Sequence, residues 1–221
     1  MDALTSNAEY HAAPPAPRHG ATGGTRVLPL PLPWDRLGDR LDIALDRGAT
    51  YRLVCRTDEQ ERKIIESLGH CEGVAIVSQD GGLLNHLSLR ENLLLPSAYH
   101  GDGAAAPLAA LEFDAAEFLQ ACGLATAPEA LAGWLRGSPA MLGKLERRLA
   151  GFVRALLSRP EILVFENVFE GLTRDEVKRV VHWRRLFQRQ FPFRTLMFVD
   201  LDFHGLPELD DCRAAIADAV H

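Results

Sequence analysis

Few residues in this chain of 221 stand where they could do chemistry. Cys55, Cys71, Cys122 and Cys212 form no C-x-x-C pair, so neither a zinc site nor a disulfide framework is indicated and a reducing setting is expected. His70 and Cys71 are neighbours, but adjacent residues in an extended segment point opposite ways, which argues against a metal pair. The run Cys55-Arg56-Thr57-Asp58-Glu59-Gln60-Glu61-Arg62 leads from a strand-like segment into a helical one. In phosphate-binding proteins such a junction carries glycines and a lysine, so that backbone N–H groups and an ammonium face the phosphates. Here the run holds neither. Thr57 with Gln60, or Asp58 with Glu61, has capping-box spacing instead. Those side chains can take the helix N–H groups that a phosphate would otherwise occupy. No metal or cofactor is expected.

The bulk numbers set the frame for these residues. The length suits one well-buried domain. A net charge of −6, from 24 basic and 30 acidic residues, gives no reason to expect nucleic acid as the main partner. The balance is uneven: from Leu142 to Arg194 there are twelve Lys/Arg against six Asp/Glu. Solvated outer faces of two helices would explain that run; docking to another protein or to an anionic lipid surface is the alternative. No apolar run approaches the roughly 18 residues of a membrane span, and the N-terminus lacks a signal-peptide layout, so a cytoplasmic location is expected.

The elements that must position the candidates follow from periodicity. Residues 1–24, rich in Ala, Pro, Gly, Ser and Thr, predict a disordered tail. Val27-Leu28-Pro29-Leu30-Pro31-Leu32-Pro33 is barred by its prolines from a central strand and predicts an edge strand or extended connector. Leu41, Ile43 and Leu45 alternate with Asp42, Ala44 and Asp46 as in a half-buried strand. Tyr51–Cys55 predicts a second strand, Glu59–Leu68 a helix, and Val74–Val77 a short buried strand. Beyond the loop Gly101-Asp102-Gly103, the stretch from Leu111 to Leu135 is expected to be helical. Leu142, Leu145, Leu149, Phe152, Val153 and Leu156 recur at helical spacing, and Ser158-Arg159-Pro160 stops that helix. Glu161–Phe165 and Thr195–Val199 are apolar strand runs, and between them Thr173 with Glu176 forms a capping box opening a helix to about Gln190. Alternating strands and helices indicate an α/β domain with a mostly parallel sheet.

The order of these pieces resembles the nucleotide-binding domain of ABC transporters. Ala75–Leu93, with Gln79 ending a strand and Leu87-Ser88-Leu89-Arg90-Glu91-Asn92 following, resembles the family's Q-loop region. Arg154–Leu163 is similar to its "ARALLxxPxILLLDEP" segment, and Phe169-Glu170-Gly171-Leu172 to its "FxGLD". The likeness covers roughly residues 40–202, and Asn92–Pro96 more narrowly resembles ATPase subunits of Mce-associated lipid transporters. It implies a P-loop NTPase-like domain over 25–221, with a reduced helical subdomain at about 86–141. Because the interval from Glu61 to Gln79 is short, the antiparallel β-subdomain that stacks adenine is expected to be largely deleted.

At the family's nucleotide stations the chain departs from the pattern. By the resemblance, Glu61 takes the place of the phosphate-binding lysine within Cys55–Arg62, and Lys63 falls two places late, where it should face elsewhere on the helix. A carboxylate at about 5 Å from a phosphate charge, at an effective dielectric near 20, costs on the order of 3 kcal/mol. Glu166 and Asn167 fall at the Walker B acid and the catalytic glutamate, and Asn167 cannot act as a general base. Leu142-Gly143-Lys144-Leu145-Glu146 replaces the LSGGQ signature, and Asp200 replaces the switch histidine. Gln79 alone survives. The resemblance therefore implies a non-hydrolysing scaffold or regulator of a membrane transporter, with lipid as a cargo class and no cofactor. It would be peripheral on the inner face of the membrane, paired with a competent ATPase or with itself. The permease would be gripped through Gln79–Pro96, with Leu83, Leu84, Leu87, Asn92 and Pro96 as contacts and the three leucines as exposed anchors. Two rival readings remain open: a divalent-ion-dependent enzyme or residual ATPase using Glu61, Glu166 and Asp200, and a nucleic-acid or signalling module using the basic helices.

Overall fold

Successive side chains of a strand point to opposite faces of the sheet, and that alternation decides which residues meet which helix. The computed structural model describes residues 25–31, 40–99, 120, 127–201, 209 and 211–214. The tail expected over residues 1–24, the 101–103 loop, most of the helical stretch expected from Leu111, and Cys122 lie outside the described residues.

In chain order the elements are β1 (Thr25–Pro31), β2 (Arg40–Asp46), β3 (Thr50–Cys55), α1 (Asp58–Gly69), β4 (Val74–Val77), α2 (Leu89–Tyr99) and α3 (Pro128–Arg136). A 3-10 turn at Pro139–Met141 follows, then α4 (Lys144–Leu157), β5 (Ile162–Glu166), α5 (Arg174–Gln190), β6 (Thr195–Leu201) and β7 (Arg213–Ala214). Strands β4-β5-β6-β3-β7 form one sheet in that order, and each of its pairs is parallel. β1 and β2 form a separate antiparallel pair, which keeps Pro29 and Pro31 out of the main sheet. That pair is what the described residues show of an antiparallel subdomain, and α1 leads straight to β4.

Tyr51, Leu53, Cys55, Ile162, Val164, Met197 and Val199 pack on one face with Ile64 and Leu68 of α1. Leu163, Phe165, Leu196 and Phe198 pack on the other with Leu149, Phe152, Val153 and Leu156 of α4 and Val180, Trp183 and Phe187 of α5. Phe152 stacks on Trp183 with centroids 5.6 Å apart, and Phe165 on Phe198 at 5.3 Å. Both faces of the central strands are thus covered, as a parallel sheet requires. The helix boundaries follow their signals. Glu176 accepts hydrogen bonds from the Thr173 N–H (2.8 Å) and hydroxyl (2.8 Å), closing the expected capping box at α5. α4 ends at Leu157 with Ser158 as its C-cap, two residues before Pro160.

A smaller cluster of Leu83, Leu89 and Ala150, with Trp134 and Leu142 against it, fixes the segment after β4 onto α4. Here two glycines interlock. A Cβ on Gly151 would lie 2.4 Å from the Gly81 carbonyl oxygen, and one on Gly81 would lie 2.2 Å from the Arg147 carbonyl oxygen. In an open helical site, Gly→Ala stabilises by up to about 1 kcal/mol. Gly151→Ala is expected to destabilise by about 1–3 kcal/mol, as forced overpacking does, in urea unfolding. A stabilised variant would contradict the close approach.

Candidate functional site

A parallel sheet brings the C-terminal ends of its strands to one edge, where open α/β proteins bind ligands. In this chain the C-terminal ends of β3, β4, β5 and β6 lie along that edge, and with them Cys55–Arg62, Gln79, Glu166, Asn167 and Asp200. Gly143 and Lys144 open α4 close by: the Lys144 ammonium nitrogen lies only 2.6 Å from where a Cβ on Gly171 would stand.

The start of α1 is capped by its own chain. The Thr57 hydroxyl accepts from the Gln60 N–H (3.1 Å), and the Gln60 carboxamide oxygen accepts from the Arg56 N–H (2.8 Å). Of the two expected capping pairs it is Thr57 with Gln60 that forms, and Glu61 turns inward. Arg62 is exposed, and Lys63 pairs with Glu59 at 3.0 Å on the outer side of the helix, away from the lysine station.

Glu61 and Asn167 are both buried, and the Asn167 amide donates to the Glu61 carboxylate at 2.5 Å. The Asn167 carboxamide oxygen accepts from the Leu201 N–H (3.0 Å), and its backbone N–H donates to the Val199 carbonyl (2.9 Å). One asparagine therefore ties α1, the end of β5 and the end of β6 together. Its φ of 41° lies in the left-handed region, which Asn tolerates better than most residues. Asp200, 3% exposed, pairs with the Arg52 guanidinium at 3.3 Å.

These acids crowd one another. Burial pushes the Glu166 carboxyl up to about 7, and the Glu61 and Asp80 charges add to it. Burial likewise pushes Asp200 up to about 6 against the pull of Arg52. Glu61 is raised by burial, against the stabilising Asn167 hydrogen bond. The Cys55 thiol is pushed up to about 12 by burial and then by Glu61 and Asp200, so it is no nucleophile. The fold thus brings Glu61 within electrostatic reach of Glu166 on one side and of Asp200 on the other. Among the described residues no group of three acids, histidines or cysteines is placed to hold a metal, and two of these acids have other partners: Glu61 is engaged by Asn167 and Asp200 by Arg52.

Three arginines of α4 hold the loop after β4 by its backbone. Arg148, 1% exposed, donates to the Gln79 carbonyl (2.7 Å) and the Glu170 carbonyl (2.7 Å). Arg147 donates to the Asp80 carbonyl (3.0 Å) and Arg154 to the Gly82 carbonyl (2.6 Å). The Gln79 side chain itself is exposed. Further along, Asn92 is fully buried: its oxygen accepts from the Leu84 N–H (2.8 Å), and its amide donates to the Leu84 (3.0 Å) and Ser88 (2.9 Å) carbonyls. Asn92 is thus an internal brace rather than a partner contact, and Leu83, 6% exposed, belongs to the core rather than to an exposed surface. Leu84 is 43% exposed, and Leu87 and Pro96 are half-buried. Across from this loop, Arg147 joins Asn85 (3.4 Å) to the Pro139 carbonyl (3.2 Å), which brings the 84% exposed Met141 into the same neighbourhood.

The arginine grips, the Arg52–Asp200 pair and Met141 were not foreseen from sequence. The row of cations on α4 was visible, but not that their partners would be carbonyls of a distant loop.

No protein-family model matches the chain. It is 33% identical over 111 residues to the molybdenum import ATP-binding protein ModC of Rhodopseudomonas palustris; the match covers 49% of this chain and 27% of that protein. Among solved structures it superposes on a metal-chelate-type ABC transporter in an inward-facing conformation, with a TM-score of 0.63, 13% identity, and 86% and 77% of the two chains covered. It also superposes on cbiO1 of Clostridium perfringens, part of the ABC transporter complex cbiONQ, with a TM-score of 0.53, 12% identity, and 74% and 71% covered. The chain has the fold of ABC-transporter ATPase subunits, and its sequence likeness to ModC supports the same relationship.

The acids predict an unusual pH response. A carboxyl with a raised native pKa binds more protons folded than unfolded, so its contribution to stability falls as pH rises through the interval between the two values. For Glu166 that interval runs from 4.5 to about 7, and for Asp200 from 3.8 to about 6. The melting temperature should therefore fall between about pH 4 and about pH 7, and these two groups should add no further fall above that. Glu166→Gln should flatten that fall and raise the melting temperature at the upper end by roughly 2–4 °C. A wild-type melting temperature that climbs over this interval would refute the assignment.

Proposed function

From a chain with the fold of ABC-transporter ATPase subunits, we propose a subunit that neither binds nor hydrolyses ATP and serves as scaffold or regulator of a membrane transporter. The observation that carries this reading is the buried Glu61–Asn167 hydrogen bond. In an ATPase the helix start and the acid strand are bridged by the phosphates and their metal; here two side chains bridge them directly. The capping of α1 by Thr57 and Gln60 supports the same reading, since it removes N–H donors a phosphate would need. So does the charge of the site, where a polyphosphate would meet Glu61, Glu166 and Asp200.

The proposed partner is a permease. Leu84 and Met141 offer exposed apolar anchors, with Leu87 and Pro96 beside them, and such anchors carry most of the energy of helix-in-groove recognition. Among the described residues no helix is long and apolar enough to cross a membrane, so the proposed attachment to the inner face is through the permease. A competent ATPase or a second copy would complete the pair. Lipid is the cargo class proposed, on the likeness of Asn92–Pro96 to lipid-transporter subunits; ModC and the metal-chelate transporter carry other cargoes in their names.

Calorimetric titration with Mg-ATP is expected to give no binding up to about 1 mM, and micromolar affinity would overturn the proposal. Neither Glu61→Lys nor Asn167→Glu should restore turnover, because groups that act as a unit do not return singly. Leu84→Asp should abolish co-purification with the permease while leaving the melting temperature of the isolated subunit within about 2 °C of wild type. Unimpaired co-purification by that variant would remove this surface from the proposal.

A further inference from the structure

We infer that the outer face of α5 is a docking surface for an acidic protein segment. Its fourteen residues from Val177 to Gln190 contain no carboxylate, in a chain whose net charge is −6. Lys178, His182, Arg185 and Arg189 are all exposed and recur at i, i+4, i+7 and i+11, with exposed Arg179 beside them. That spacing places them in one straight row of about 16 Å along the helix. Lys178 is paired with Asp175 at 2.9 Å, whereas Arg179, Arg185 and Arg189 make no ion pair with a described residue. The contrast with Arg184 is informative. This arginine turns inward, is buried, and is met in bidentate fashion by Asp211 at 2.8 and 2.6 Å. The fold supplies a carboxylate to the inward base and to Lys178 at the head of the row, whereas Arg179, Arg185 and Arg189 are left without an ion pair from a described residue. Just past the helix, Phe193 is 71% exposed, next to Phe191, on whose ring Arg194 stacks at 4.5 Å. Arginines and an exposed aromatic are the residue types enriched in protein interfaces.

The topology favours a protein over a bilayer. α5 ends just before β6, which is parallel to β5 and through it to β4, so Arg189 and Phe193 stand at the edge of the sheet opposite to the loop that follows β4. If that loop meets a permease, as proposed above, the far end of α5 points away from the membrane; the choice of protein rests on that reading. A row spaced i, i+4, i+7, i+11 can be matched residue for residue by an acidic helix laid alongside.

The test uses the full chain and a fluorescent helical peptide with glutamates at the same four spacings, read by anisotropy at low salt. A shuffled peptide of equal composition, phosphatidylserine-containing vesicles and duplex DNA serve as competitors. The matched peptide is expected to bind about fivefold or more tightly than the shuffled one. The Arg185→Glu, Arg189→Glu double variant, with its melting temperature unchanged, should weaken binding by about tenfold or more. Leu84→Asp should leave peptide binding unaltered, and because this titration contains no permease, its outcome is separable from that of the permease proposal. No binding, equal binding of the shuffled peptide, equal binding by the charge-reversed chain, or tighter binding of vesicles or DNA would each overturn the inference.

Discussion

The hydrogen bond from the Asn167 amide to the Glu61 carboxylate governs how the C-terminal edge of the sheet is closed. A buried carboxylate is costly unless it is hydrogen-bonded, and here two features offset that cost. Glu61 lies in the first turn of α1, where the helix dipole favours negative charge, and Asn167 offers it an N–H donor. Asn167 suits the position in a way an acid would not. Its carboxamide donates to Glu61 and accepts from the Leu201 N–H at once, whereas a carboxylate would face Glu61 with like charge and no donor. Positions 61 and 167 are therefore a matched pair, each explaining the residue at the other.

A second set of contacts depends on that closure. Glu170, three residues after Asn167, gives its backbone carbonyl to Arg148, and the same guanidinium holds the Gln79 carbonyl. The segment leaving β5 and the loop leaving β4 are thus joined through one buried arginine. Arg147 and Arg154 extend the grip to Asp80 and Gly82, and the approach of Gly81 to Gly151 leaves the loop no room to lift without parting from α4. The grip is on backbone carbonyls, so it fixes the loop's path while leaving its side chains to face outward. Leu84 and Met141 are exposed beside this tethered backbone, the arrangement that the proposed docking surface requires.

Much of this was legible in the sequence, and the legible parts share a cause. The strands, the long helices and the capping pairs at Thr57–Gln60 and Thr173–Glu176 are local, set by periodicity and by spacing of three residues. The illegible parts are pairings across large separations. Asn167 meets Glu61 over 106 residues, Arg52 meets Asp200 over 148, and Arg148 meets Gln79 over 69. Each residue was singled out or counted, but no local pattern says which charge a distant loop will bring. The leucines show the same limit. In Leu83-Leu84 the first is core and the second is exposed, because the turn at Gly81-Gly82, both with positive φ, aims them apart, and composition carries no sign of that direction.

The energetics explain why such a site needs long-range pairs at all. A nucleotide held at a hundred times its dissociation constant stabilises the folded form by about 2.7 kcal/mol, so an ATPase domain draws part of its stability from its ligand. A chain that forgoes nucleotide has to draw that amount from its own residues. A hydrogen bond to a charged group contributes about 1.5–3 kcal/mol, so the Glu61–Asn167 bond alone is of the right size. Burial, and after it the charge of Glu61, raises both Glu166 and Asp200, so on that reading the exchange is incomplete: the acids on either side of Glu61 still cost stability at neutral pH. On the proposed reading the edge of the sheet is a ligand site turned into a structural joint, and the acids that the joint does not neutralise are its remaining electrostatic cost.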